Sequence, residues 1–415
     1  MTMSKNYIFL MVIATFILKT TLLILYADFS VMNPDEENNY RTAINYLNSG
    51  EYTLNGKLTA FHGSFTIILY KWIISHNIDK ELYITFIHIV SIVIFTLSIP
   101  FFYRILLTAN ISKKIALMAT FVYCIYPSNL LYIGNIFLYE KIVLPLLVIS
   151  FYLIFDVVKN SKSKNYVYFV PIIVALSSLL RAHMILIYFI IFLFFLLYSF
   201  RNRNEIKSFK KMLLISILTA ITLIFSHIPL LQKNHTIFGH YIISTQVGYT
   251  LMQGHNDMAR GSWIGDSDAG LYSYNDYSKD VIPNLDKLNE YEESVARKEY
   301  TINWIKNNPL KEFELIARKM AIFMLPKNFQ SGYNPLNIVV HLLFLTSIVI
   351  AIRKKQIDSI TLLLVSPFVA SLLLSLVFFI DFRWRYFAEP SLILITSYLF
   401  SPTILWCIIT PTTGD

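Results

Sequence analysis

The sequence predicts an all-α, polytopic membrane protein. Three observations lead there. Of its 415 residues, 55% are hydrophobic and only 15% are charged, whereas soluble domains carry about 25%. The mean hydropathy is +0.55. The chain also divides into repeated apolar runs of about 20 residues, the length a helix needs to cross a bilayer.

About ten spans are predicted, near 7–27, 82–106, 115–132, 136–158, 165–181, 183–200, 212–231, 335–352, 357–380 and 387–410. The first, with Lys5 before it and no small-residue cleavage pattern after it, reads as a retained signal anchor. Cys124 and Cys407 both lie in apolar runs, which leaves no disulfide framework and no zinc spacing.

Charge orients the spans. Short basic linkers hold Lys5, Arg104, Lys113, Lys114, Lys159, Lys162, Lys164, Arg201, Arg203, Lys207, Lys210, Lys211 and Arg353 to Lys355. The positive-inside rule assigns these, and both termini, to the cytoplasm. Much of the net charge of +9 is therefore topology, and nucleic acid is not needed to explain it. The opposite face holds residues 28–81, a hairpin at 132–135, a corner at 181–183, residues 232–334 and a turn at 381–390. The organisation is thus a membrane module over 1–231 that includes the first outer loop (28–81), an outer region over 232–334, and closing spans over 335–415.

The first outer loop carries VMNPDEENNYRTAINYLNSG. Asn33 suits an N-cap, Pro34 the first helical position, and Glu36 the far end of a capping box. Tyr40, Ala43, Ile44 and Leu47 form an apolar stripe at helical spacing, and Gly50 suits the stop. An amphipathic helix on the membrane surface follows for 34–48. Capping explains Asn33, Pro34 and Glu36 but does not require Asp35.

Residues 232–334 have ordinary soluble composition. A Gly-spaced polar stretch, GYTLMQGHNDMARGSWIGD, comes first. A charged helix at about 285–307 is stopped by Pro309, and the amphipathic KEFELIARKMAIFML leads back to the membrane. Nine histidines show no ligand spacing, and no zinc, nucleotide-loop or serine-nucleophile motif stands out.

Charged residues at span ends carry the chemistry. Glu140 lies at the outer end of the fourth span, Arg181 ends the fifth, and Arg383 and Arg385 open the last, with Asp381 and Glu389 as possible partners. Charges bordering the apolar zone are costly and usually face a polar cavity. Carboxylates and arginines at one membrane level suit a lipid-linked phosphate donor. Arginine neutralises the phosphate leaving group and a carboxylate activates an acceptor hydroxyl.

Six elements in order resemble the GT-C superfamily of membrane glycosyltransferases. The likeness is to the bacterial phospholipid-carrier-dependent group, related to protein O-mannosyltransferases and lipid A aminoarabinose transferases. They are PDEENNYRTAINYLNSG, TAFHGSF, Tyr126-Pro127 with Glu140, LLRAH, NWIKNNPLKEF, and Arg385-Tyr386. In TAFHGSF, His62 stands at the family's basic position, while both of its prolines are missing.

The resemblance implies a GT-C-like bundle and inverting transfer of a sugar from a polyprenyl-phosphate donor to a glycan, lipid or protein acceptor outside the cell membrane. Asp35 is then the base, with Glu36 assisting or holding a cation. Arg181, with Arg383 or Arg385, binds the donor phosphate. Glu140 and His62 are further candidates for acceptor or cation contact. Some relatives bind a divalent cation at the site. Two other classes fit a many-spanned chain. An envelope polysaccharide polymerase or O-antigen ligase needs no acidic first loop. A transporter predicts inverted repeats and mid-membrane polar residues, and no repeat is visible here.

Overall fold

Apolar runs bounded by caps and prolines fold into helices almost throughout. The computed structural model describes residues 2–26, 29, 32–61, 65–131, 139–159, 165–201, 206–262, 274–328, 332–355 and 357–409. His62 and the hairpin at 132–135 lie outside the described residues.

The chain begins with α1 (Thr2–Tyr26). The first polar segment follows, with α2 (Pro34–Ser49), a short hairpin of β1 (Thr53–Leu54) and β2 (Lys57–Leu58), and α3 (Thr66–Ser75). Asn55 and Gly56 both take positive φ in that hairpin turn, as a two-residue turn matching strand twist requires. Next come α4 (Lys80–Thr108), α5 (Lys113–Ile125), α6 (Pro127–Leu131), α7 (Glu140–Lys159), a 3-10 turn at Asn165–Phe169, α8 (Val170–Leu180), α9 (Met184–Arg201) and α10 (Ile206–Phe238).

The second polar segment contains α11 (Gln246–Gly254), α12 (Tyr274–Val281), α13 (Glu290–Asn307) and α14 (Pro309–Phe323). The hairpin of β3 (Lys327–Asn328) and β4 (Gly332–Tyr333) precedes α15 (Pro335–Arg353), α16 (Ser359–Val377), the single turn α17 (Phe382–Arg385) and α18 (Glu389–Ile409).

Among the described residues, seven helices are long and apolar enough to cross a membrane: α1, α4, α7, α9, α10, α15 and α16. The chain is an all-α, multi-pass membrane protein. Three of the sequence-predicted spans take other forms. The run at 115–132 is divided between α5 and α6, because Tyr126 is extended (φ −58°, ψ 131°). Its successor Pro127 disfavours the helical conformation at the preceding residue. The run at 165–181 is a 3-10 turn followed by the eleven-residue α8, which has Pro171 at its start. The last run is α18, 21 residues long, with side chains described as far as Ser401.

α7 forms the centre of the bundle. It packs on α4 and α8, while α9 and α18 pack on α16. Nearly all of α7 is buried, whereas much of α1 and α10 is exposed and apolar. That is the expected contrast between a helix surrounded by protein and one facing lipid. A second apolar cluster joins α2, α3, α4 and the start of α7 through Ala43, Ile67, Tyr70, Tyr83, Tyr139 and Ile142.

The glycines of the second polar segment permit two close approaches. A Cβ on Gly248 would stand 1.9 Å from the Ser294 carbonyl oxygen, and one on Gly254 would stand 1.7 Å from that of Phe378. The first approach lets α11 press against α13, and the second presses the end of α11 onto the chain leaving α16. The charged helix expected at 285–307 is α13, with a capping box between Asn289 and Glu292.

Candidate active site

α2 forms as its sequence indicates, but its inward face is polar. The Asn33 side chain accepts from the Asp35 amide at 3.0 Å, and Gly50 closes the helix in the left-handed conformation (φ 77°). Asp35 and Glu36, adjacent on a helix, point about 100° apart. Glu36 turns inward and is fully buried. Its carboxylate accepts from Tyr70 Oη at 3.0 Å and from Asn39 Nδ2 at 3.4 Å, and it lies 3.2 Å from Arg181 Nη2.

The expected capping box is therefore not formed, because the Glu36 carboxylate is committed to the interior. The buried line of α2 is Glu36, Asn39, Thr42 and Ala43, packed on α3, while Leu47 of the expected apolar stripe is exposed.

Arg181 ends α8 in an extended conformation that turns the chain into α9. Its Nη2 lies 2.9 Å from Glu140 Oε2 and also reaches Glu36. One guanidinium thus joins the first polar segment, the first residue of α7 and the α8–α9 corner. Burial pushes the Glu36 carboxyl up to about 7, against the pull of Arg181. Beyond Glu36, Tyr70, Tyr139 and Tyr83 are linked through their hydroxyls, at 3.5 and 2.6 Å.

Arg383 occupies the neighbouring position. Asp381 precedes α17 and fixes that arginine twice, accepting from its amide at 2.8 Å and from Nε at 2.7 Å. Arg383 Nη1 then donates to Asp35 Oδ2 at 3.0 Å. The Asp35 side chain keeps 35% of its surface exposed.

Arg385, two residues on, is directed elsewhere. It is 1% exposed and donates to the carbonyls of Leu325 and Lys327, with Phe323 O at 3.5 Å and Glu389 Oε1 at 4.0 Å. It closes the chain after α14 and does not line the cavity described next.

Asp35, Glu140, Arg181 and Arg383 border a cavity of about 310 Å³. His183 and Trp384 also line it. The second polar segment contributes Ile243, Ser244, Gln246, Val247 and Thr250, and the chain after α16 contributes Phe378 and Phe379. At the rim, Leu186 and Val247 are 46% and 49% exposed. The lining of the cavity thus combines charged side chains with exposed apolar ones. Burial drives the His183 imidazole down to about 3, with Glu140 opposing and Arg181 and Arg383 adding to the effect. A neutral ring therefore shares the cavity lining with two cations.

Four carboxylates meet two guanidinium groups here, so an anionic ligand must share arginines already paired. Among the described residues, no three His, Cys, Asp or Glu side chains gather as a metal-binding set. The carboxylates present are engaged by arginines.

Of the sequence candidates, Asp35, Glu140, Arg181 and Arg383 come together at the cavity. Glu36 stands behind Arg181, and Arg385 lies apart. Sequence reading did not single out His183, Trp384, the Phe378-Phe379 pair or the α11 wall as cavity residues. The corner LLRAH and the turn DFRWRYFAEP held the first two in view as topology. Nothing local marked the α11 wall, because its approach depends on Gly254 meeting a carbonyl more than a hundred residues away. No family model, no curated protein and no solved structure matches this chain.

Proposed function

We propose that the chain is a glycosyltransferase of GT-C type, moving a sugar from a polyprenyl-phosphate carrier to an acceptor hydroxyl on the outer side of the cell membrane. In this reading α5 with α6, the 3-10 turn with α8, and α18 also cross the bilayer, giving ten spans and cytoplasmic termini. The observation that carries the proposal is the mixed charged and apolar lining of the cavity. Arg181 and Arg383 lie beside exposed apolar residues, Leu186 and Val247. An amphiphile with a phosphate headgroup and a hydrocarbon tail matches that pairing.

The acceptor hydroxyl gives its proton to Asp35, the partly exposed carboxylate at the cavity. Its oxygen attacks the anomeric carbon opposite the phosphate, and the bond from that carbon to the phosphate oxygen breaks. The developing phosphate charge falls to Arg181 and Arg383, whose guanidinium groups suit phosphate oxygens. Glu36 and Asp381 hold the two arginines in place.

Asp35→Asn tests this reading. It keeps the size of the side chain and the Asn33 cap. Release of polyprenyl phosphate from polyprenyl-phosphate sugars by the purified, reconstituted protein should fall by about 10²–10⁴, at unchanged melting temperature. Wild-type turnover in Asp35→Asn would remove the carboxylate from the mechanism. No turnover by wild-type protein with any such donor, in the presence of membrane glycan and lipid acceptors, would remove the reaction.

A further inference from the structure

Away from the cavity, three titratable side chains are buried together. His255 follows α11, while Glu312 and Lys319 lie two turns apart on α14. His255 Nδ1 is 2.9 Å from Glu312 Oε2, and Lys319 Nζ is 3.0 Å from His255 Nε2. Lys319 is fully buried. Burying three such groups is costly unless they are mutually paired and hydrogen-bonded, so their common target is informative.

That target is the end of α16. Lys319 Nζ donates to the carbonyls of Leu376, at 3.0 Å, and Phe378, and His255 Nε2 lies 2.7 Å from Val377 O. These are among the carbonyls that the last turn of a helix leaves without partners, and a cation there also faces the negative end of the helix dipole. The same stretch is held from above. Gly254 has no room for a side chain against Phe378 O, and the Ile380 amide donates to Gly261 O at 2.9 Å. The next residue, Asp381, fixes Arg383, and Phe378 and Phe379 line the cavity.

We propose that Lys319, oriented by His255 and Glu312, is a positioning residue for the cavity. It caps α16 so that the chain from Phe378 to Asp381 presents Arg383 to Asp35. Its part in turnover rests on the transferase reading, but its part in holding the wall does not. The charged group acting on Lys319 is Glu312, on α14 itself, and the titratable group in contact with it is His255, in the loop after α11.

The test separates the two readings. In a Cys124→Ala, Cys407→Ala background, Ile380→Cys places a thiol at a site that is 1% exposed. Its labelling by a water-soluble maleimide reports release of the wall without reference to activity. Lys319→Met should raise the labelling rate at least tenfold and lower kcat for sugar transfer at least tenfold. Lys319→Arg, which keeps the charge and several donors, should restore most of both. Should Lys319→Met fail to fold, His255→Asn is the milder probe, expected to raise labelling several-fold. Fast labelling in a preparation whose wild type transfers no sugar would sink the transferase reading and leave the positioning role standing. Wild-type labelling in Lys319→Met, or in His255→Asn where Lys319→Met does not fold, overturns the positioning role, whatever the activity.

Discussion

The two arginines at the cavity stand in opposite surroundings. Arg181 is closed in: Glu36 and Glu140 both contact it, and Tyr70 and Asn39 hold Glu36 from behind. Arg383 is held on one side by Asp381 and meets Asp35 at an edge that remains open. The same residue types therefore do different jobs. Arg181, clamped by two carboxylates, fixes helices relative to each other while still lining the cavity, whereas Arg383, paired with the partly exposed Asp35, can also exchange that partner for a substrate group. Adjacent positions on α2 serve the two sides, Glu36 the closed one and Asp35 the open one.

The largest effect should come from breaking the closed side. Arg181→Ala leaves Glu36 and Glu140 facing each other in the interior without their cation. Removing one partner of a buried pair costs on the order of 3–5 kcal/mol. Arg181→Ala protein should show a melting temperature well below that of wild type, and should be poorly extracted as a monodisperse species. A stable Arg181→Ala protein would mean that the closed side is not a fastening, and the contrast with Arg383 would lose its basis.

This contrast was half legible in the sequence. Repeated apolar runs announced the membrane helices, and the Asn33–Gly50 signals placed α2 to within a residue or two. The arginines and carboxylates stood out because charge is scarce at span ends. What local pattern could not give was direction. Arg383 and Arg385 sit two residues apart, and nothing in DFRWRYFAEP says that one faces Asp35 while the other turns to carbonyls at 323–327. Nor could a capping signature at Asn33 reveal that Glu36 is drawn inward by a residue about 145 positions later. Such choices depend on which partner the packing delivers, and the tight approach at Gly254 is of the same kind.

The two arginines of α17 differ in what they hold. Arg385 forks onto main-chain carbonyls after α14, a task for which lysine's single ammonium is a poor replacement. Arg385→Lys should lower stability by about 2 kcal/mol, the scale of a hydrogen bond to a charged group. Affinity of the folded variant for a polyprenyl phosphate should stay at the wild-type value. Arg383→Lys should do the reverse, weakening that affinity with little change in melting temperature. Equal losses of affinity in the two variants would place both arginines on the phosphate and contradict the division drawn here.

The smallest effect at a fixed pH belongs to Glu36, and its sign is set by burial. The carboxyl is raised from 4.5 to about 7, so the folded chain takes up this proton more readily than the unfolded chain. Its contribution to stability is then fully present below pH 4.5 and is lost as pH rises through 7. Each pKa unit corresponds to about 1.4 kcal/mol, which caps the change across that window at about 3 kcal/mol. Glu36→Gln imitates the protonated form, still able to accept from Tyr70 and leaving Glu140 for Arg181. At pH 5.5 it should therefore match wild type within about 1 kcal/mol, and its melting temperature should vary less with pH between 4.5 and 7.5. The measurement is a paired series of melting curves over that range. Parallel slopes for the two proteins would mean that Glu36 stays ionised throughout, and that the closed side is a fully charged cluster after all.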